Sequence, residues 1–207
     1  LNRGMANSVS FLRRIVFVAG AFALGQAAVQ ADVKLPSVFG DHMVLQQGQR
    51  LPVWGTAEPG EAIKVSVAGQ TKSTKANKKG AWQVRLGELK ASKTPVPFSV
   101  KGNNTIEYKD VLVGEVWLCS GQSNMEWTVS RSANPQEEIA NGKHPLIRHI
   151  KIPHRPSDKP EQDVTPQRGG WEVASTETVA NFTAVGYYFA RHLKGELDVP
   201  IGLLGSN

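Results

Sequence analysis

Over residues 33–113 apolar positions alternate with small or polar ones in short runs. Val53-Trp54-Gly55, Ile63-Lys64-Val65-Ser66-Val67, Trp82-Gln83-Val84-Arg85-Leu86 and Phe98-Ser99-Val100 each follow a two-residue period. Glu58-Pro59-Gly60, Ala68-Gly69, Lys79-Gly80 and Lys101-Gly102-Asn103-Asn104 punctuate them. Short alternating strands with turn signals every 8–12 residues or so predict a β-sandwich. Residues 71–80 hold Lys72, Lys75, Lys78 and Lys79. A solvated loop blunting a sheet edge accounts for them better than a phosphate-binding patch.

After Val113 the pattern changes. Val116-Trp117-Leu118-Cys119 is a continuous apolar run, the mark of a strand buried on both faces. Asn134-Pro135-Gln136-Glu137 reads as an N-cap, a proline at N1 and an acid at N3 of a brief helix. Residues 145–152 predict a strand with Arg148, Ile150 and Ile152 on one side, and residues 153–170 a loop. Over 178–197 the recurrence of Phe182, Val185, Phe189 and Leu193 predicts a helix with one apolar stripe. Residues 200–204 open a further strand. Strands alternating with helices imply a parallel sheet, here of about three strands.

Residues 1–31 stand apart. Arg13-Arg14 precedes an apolar run over 15–24, and small residues follow, with Val29 and Ala31 at the −3 and −1 positions of a cut before Asp32. That is the layout of a secretory signal. The run is too short for a membrane span, which needs about 20 residues. Expected boundaries are therefore a signal peptide over 1–31, a β-sandwich-like domain over 32–112 and part of an α/β domain over 113–207. The product is expected to be exported, periplasmic or extracellular, with no membrane attachment once the signal is cut.

Composition then narrows the function. The chain has 24 Lys and Arg against 18 Asp and Glu, but Arg3, Arg13 and Arg14 fall in the signal, leaving a balance of +3. No nucleic-acid partner is expected from so small an excess. The single cysteine, Cys119, excludes an intrachain disulfide framework and a cysteine-rich zinc site.

Chemistry concentrates in Cys119-Ser120-Gly121-Gln122-Ser123-Asn124-Met125-Glu126-Trp127. A serine in the turn after a parallel strand sits at the carboxyl edge of the sheet, where α/β enzymes place ligands. Gly121 permits a tight turn, and the Ser123 amide is positioned to face a developing oxyanion. Ser123 is thus a candidate acyl-transfer nucleophile. A rival explanation is structural: Ser123-Asn124-Met125-Glu126 also fits the S-x-x-E capping box. The G-x-S-x-G elbow is not matched, since Met125 replaces the second glycine.

The segment Asp110-Val111-Leu112-Val113-Gly114-Glu115-Val116-Trp117-Leu118-Cys119-Ser120-Gly121-Gln122-Ser123-Asn124-Met125 resembles the sialate O-acetylesterase family of SGNH hydrolases. Two more stretches are similar to that family. One is Leu35-Pro36-Ser37-Val38-Phe39-Gly40-Asp41-His42-Met43-Val44-Leu45-Gln46; the other is Phe182-Thr183-Ala184-Val185-Gly186-Tyr187-Tyr188-Phe189-Ala190 with Val199-Pro200-Ile201-Gly202-Leu203. The resemblance implies an N-terminal β-domain and an α/β/α SGNH-type hydrolase domain that removes O-acetyl groups from carbohydrates. It implies Ser123 as nucleophile, the Ser123 backbone amide as one oxyanion donor, an O-acetylated carbohydrate as substrate, and no cofactor or metal. The family's second-strand glycine block, its asparagine and its late D-x-x-H have no counterpart in these 207 residues. The expectation is therefore the front part of such an enzyme, inactive alone. Which acetylated glycan it serves, and its oligomeric state, are open at this stage.

Other candidates are weaker. His42 and His192 do not match the family's base. His144, His149 and His154 are spaced by five, which on a strand alternates faces and disfavours a shared metal site; solvated or locally bonded histidines are expected. Cys119 is expected to be an inert buried thiol, and Trp117 and Trp127 to be core. The competing functional class is a non-catalytic carbohydrate-binding β-sandwich protein with a hydrolase remnant.

Overall fold

The computed structural model describes residues 32–206. The signal segment expected over 1–31 and its cut before Asp32 lie outside the described residues, apart from Asp32 itself. Seven strands come first: β1 (Val44–Gln46), β2 (Arg50–Thr56), β3 (Ala62–Val67), β4 (Gln70–Lys75), β5 (Ala81–Glu88), β6 (Ser92–Lys101) and β7 (Thr105–Ser120). Then follow α1 (Ser123–Glu126), α2 (Pro135–Ala140), β8 (His144–Lys151), β9 (Trp171–Ala174), α3 (Ala184–Leu197) and β10 (Ile201–Ser206). No helix among the described residues is long and apolar enough to cross a membrane.

A mixed sheet runs β4-β3-β6-β7-β10-β8-β9, with β1 also paired to β7, and β2 pairs with β5 as a separate two-stranded sheet. The long strand β7 joins both halves of the molecule. Its first part pairs antiparallel with β6, and residues 115–120 pair parallel with β10, which pairs parallel with β8. The division expected between residues 112 and 113 falls inside this unbroken strand.

Alternation explains the first core. Ile63, Val65 and Val67 of β3, Leu51 and Val53 of β2, and Trp82, Val84 and Leu86 of β5 all point inward with Phe98, Val100 and Val111. Each buried side chain of this size contributes about 1.5–3 kcal/mol. A second core lies between α3 and the parallel strands, built from Tyr187, Phe182, Ile147, Ile201 and Leu203. The lysine-rich segment is half strand and half turn: Lys72 and Lys75 belong to β4, the edge strand itself, where charge discourages pairing with another chain, and Lys78 and Lys79 stand in the exposed turn that follows, as expected.

Two expectations about burial are corrected. The run Val116-Trp117-Leu118-Cys119 is not buried on both faces: Cys119 is buried, Trp117 is exposed and Leu118 is 68% exposed. Gly186 of α3 sits against the Cys119 face, where an added Cβ would come 2.8 Å from the Cys119 sulfur, whereas Leu118 points to the opposite face, which stands open. The second concerns α3, which starts at Ala184 after a short 3-10 turn over Val179–Asn181. Its buried face is Ala184, Gly186, Tyr187 and Ala190, not the stripe through Val185 and Phe189. Small residues let the helix sit close to the sheet, and Phe189 turns outward to meet Trp117 edge-on at 4.9 Å.

A bulge in β7 locks the two halves together. Val96 pairs with Val111 but Phe98 with Tyr108, so β7 carries one extra residue there, and Asp110 has φ +53°. The turn before β1 satisfies the loosened backbone: His42 N–H donates to the Lys109 carbonyl and Lys109 N–H to Asp41 Oδ1. Asp110 Oδ2 then accepts from Arg148 Nη1 at 2.6 Å and lies 2.8 Å from His42 Nδ1. Burial alone would raise the Asp110 carboxyl; the hydrogen bonds and charges of Arg148 and His42 hold it below the usual carboxylate range. Arg148 is 4% exposed, so removing Asp110 strands a buried guanidinium. Asp110→Asn, which keeps a residue tolerant of left-handed backbone, should cost about 2–4 kcal/mol in urea unfolding. A cost under about 0.5 kcal/mol would show that the Asp110 charge is not what holds Arg148.

Candidate active site

Strand β7 delivers its last residues to the carboxyl edge of the parallel sheet, and the chain turns there. Gly121 has φ +142°, a backbone state that a side chain would strain. Ser123 follows as the first residue of α1, exposed, with no hydrogen-bond partner for its hydroxyl among the described residues. The N-cap position belongs to Gln122, which makes no side-chain cap. The capping-box alternative is therefore not realised: Ser123 caps nothing. Its amide and that of Asn124 stand in the first turn, where no intrahelical acceptor exists.

The turn is tied down from behind. Thr183 Oγ1 donates to the Met125 carbonyl at 2.6 Å, Ala184 N–H to the Trp127 carbonyl at 2.7 Å, and Val129 N–H to the Phe182 carbonyl at 3.1 Å. Ser120 Oγ donates to the Ser206 carbonyl, closing β7 on β10 at the same edge. The start of α3 thus fixes the serine turn, and the Ser123 hydroxyl is left facing solvent.

Register brings further groups to this edge. Gly205 pairs with both Cys119 and Lys151, so the end of β8 lies level with the end of β7. Burial pushes the Lys151 ammonium pKa down, and the Glu126 charge partly opposes that. His154, on the loop after β8, places Nε2 4.0 Å from Glu126 Oε1. Lys151 and His154 as neighbours of the serine turn were not found in the sequence, because parallel pairing carries no local signal.

The remaining candidates separate. His42 belongs to the Asp110 interlock, and His192 is exposed on α3. His144 is half-buried, its pKa lowered by burial and by Arg191 and Lys194. His149 corrects the expectation of solvated or locally bonded histidines: it is 1% exposed, stacks on Phe182 at 4.6 Å, and neither ring nitrogen has a partner. Burial drives its pKa down to about 3. Cys119 is buried with a raised pKa, the state of an inert packing thiol. Trp117 and Trp127 are 43% and 49% exposed, not core as expected. Trp127 leans on its neighbours, donating to the Arg131 carbonyl and carrying the Arg131 guanidinium over its ring.

Comparison with known proteins decides the kinship. The chain is 29% identical to the human sialate O-acetylesterase and 31% identical to that of Mus musculus, each over 84% of its length. The resemblance to the sialate O-acetylesterase family is borne out. The chain spans only about a third of those relatives, 36% of the human protein and 35% of the mouse one. A crystal structure of a carbohydrate acetylesterase from Xanthomonas citri superposes with a TM-score of 0.80 at 38% identity, covering 84% of this chain and 40% of that one. No family model matches.

Proposed function

We propose that this chain carries the nucleophile of a carbohydrate O-acetylesterase, with Ser123 as that nucleophile. The supporting observation is the exposed, unpartnered Ser123 hydroxyl, held at the carboxyl edge of a parallel sheet in a turn where it caps no helix. In the reaction Ser123 Oγ bonds to the acetyl carbonyl carbon while its proton passes to a base. The Ser123 amide stabilises the oxyanion, the sugar oxygen leaves with a proton, and water then releases acetate from the acetyl-serine. Among the described residues no histidine hydrogen-bonds to Ser123, and the family's late D-x-x-H, which would supply the base, has no counterpart in them, so these residues alone are expected to be inactive.

The finer readings rest on the same kinship for the substrate and the SGNH-type domain, and on the sequence pattern alone for the β-domain and the signal. The substrate is an O-acetylated sugar of the sialate 9-O-acetyl type, the strands over 32–112 form a β-sandwich-like domain, and residues 113–207 open the SGNH-type domain. The protein is exported after cleavage before Asp32. A fluorophosphonate probe, which esterifies activated serines, should label the complete enzyme once, on Ser123, as read by peptide mass. Labelling elsewhere, with Ser123 unmodified, would overturn the assignment.

A further inference from the structure

Pairing of β2 with β5 builds a second feature in the β-rich half, lined by none of the residues of the serine turn. The register sets Trp54 opposite Gln83, Pro52 opposite Arg85 and Thr56 opposite Ala81. These residues share one face, because their neighbours Val53, Gly55, Trp82 and Val84 point into the core. That outward face floors a groove of about 840 Å³, walled by Lys34 and by Asp163 from the loop after β8. Trp54 is 40% exposed within it, and Phe39 holds its ring edge-on at 4.9 Å.

The groove has the makings of a sugar site. A pyranose offers apolar C–H faces and hydroxyl edges, and a fixed indole ring with flanking amide and guanidinium groups matches both. Beneath this floor Trp82 is packed in the core, 4% exposed, and backs the groove rather than offering it a donor. Lys34 and Arg85 make no ion pair among the described residues, whereas Asp163 is engaged by the Ser37 amide and hydroxyl. Asp163 keeps its negative charge in accepting those bonds, so two cations against one carboxylate leave the groove a net positive balance.

We propose that this groove is a second carbohydrate site, which holds a carboxylate-bearing oligosaccharide at a distance from Ser123. One loop links the two places: His154 stands by Glu126, and Gln162, eight residues on, lines the groove. Eight residues span at most about 29 Å. A polymeric substrate anchored here keeps its acetylated units near the serine turn at high effective concentration.

Titration calorimetry on the full chain, with trigalacturonate and with neutral galactotriose, tests this without requiring turnover. Trigalacturonate should bind, galactotriose about fivefold or more weakly, and 0.5 M salt should narrow the gap. Trp54→Ala should weaken both sugars by about tenfold or more. Arg85→Gln, at an exposed position that cannot unfold the core, should abolish the preference for the acid while leaving neutral binding. Ser123→Ala should change nothing, which separates this site from the esterase reading. No binding of trigalacturonate, equal binding of both sugars, or an Arg85→Gln variant with undiminished preference would overturn the proposal.

Discussion

Replacing Ser123 with alanine in a complete enzyme should cut acetyl-ester turnover by about 10³-fold or more, as loss of a nucleophile does. The same change should leave stability within about 0.5 kcal/mol. Both halves of this expectation come from one geometry. A capping serine would accept a backbone N–H of the first helical turn on its oxygen, and its loss would cost about 1 kcal/mol with little effect on rate. Here Gln122 occupies the cap position, and the Ser123 hydroxyl has no partner among the described residues. Nothing structural is removed with it. Hydrolysis of p-nitrophenyl acetate and of an acetylated glycan, measured beside a thermal melt, separates the alternatives. A rate drop of a few fold with a shifted melt would restore the structural role and sink the catalytic one.

Much of the scaffold was legible because it rests on local periodicity. Alternation in Ile63-Lys64-Val65-Ser66-Val67 and in Trp82-Gln83-Val84-Arg85-Leu86 survives as β3 and β5, and Pro135 starts α2 as its position implies. The parallel trio β7, β10 and β8 matches the expected strand count. Misreadings occurred where burial depends on what lies across a sheet. Leu118 and Trp117 look like a buried run in sequence, and both pair with β10, yet Leu118 points to a face left open and Trp117 is met only edge-on by Phe189. The helix stripe through Val185 and Phe189 scores as apolar, but Ala184, Tyr187 and Ala190 pack because small residues allow the closer approach. Nor does any local pattern announce that His42, Asp110 and Arg148 meet, since they come together at a bulge in β7.

His149 gives the second large expectation, a loss of stability in mild acid. Its folded-state pKa is about 3, against about 6.5 for an exposed imidazole, because burial beside Phe182 disfavours the charged ring and Lys151 adds repulsion. Between these values the unfolded chain binds a proton that the folded chain does not, so stability falls as pH falls below about 6.5. The loss should reach about 2 kcal/mol between pH 7 and pH 5, and on the order of 4 kcal/mol near pH 3, where a typical domain has only about 5–15 to lose. His144, also lowered, acts in the same direction. Asp110 joins only at lower pH: its folded pKa is depressed, so its contribution is lost as pH falls through the carboxylate range. His149→Leu, which keeps an apolar group against Phe182, should therefore flatten the profile between pH 7 and pH 5 and leave the steeper acid limb. Urea midpoints at those two pH values decide it. If the wild-type slope persists in His149→Leu, the imidazole is already protonated or hydrated in the folded protein, and the apolar pocket around it is not closed.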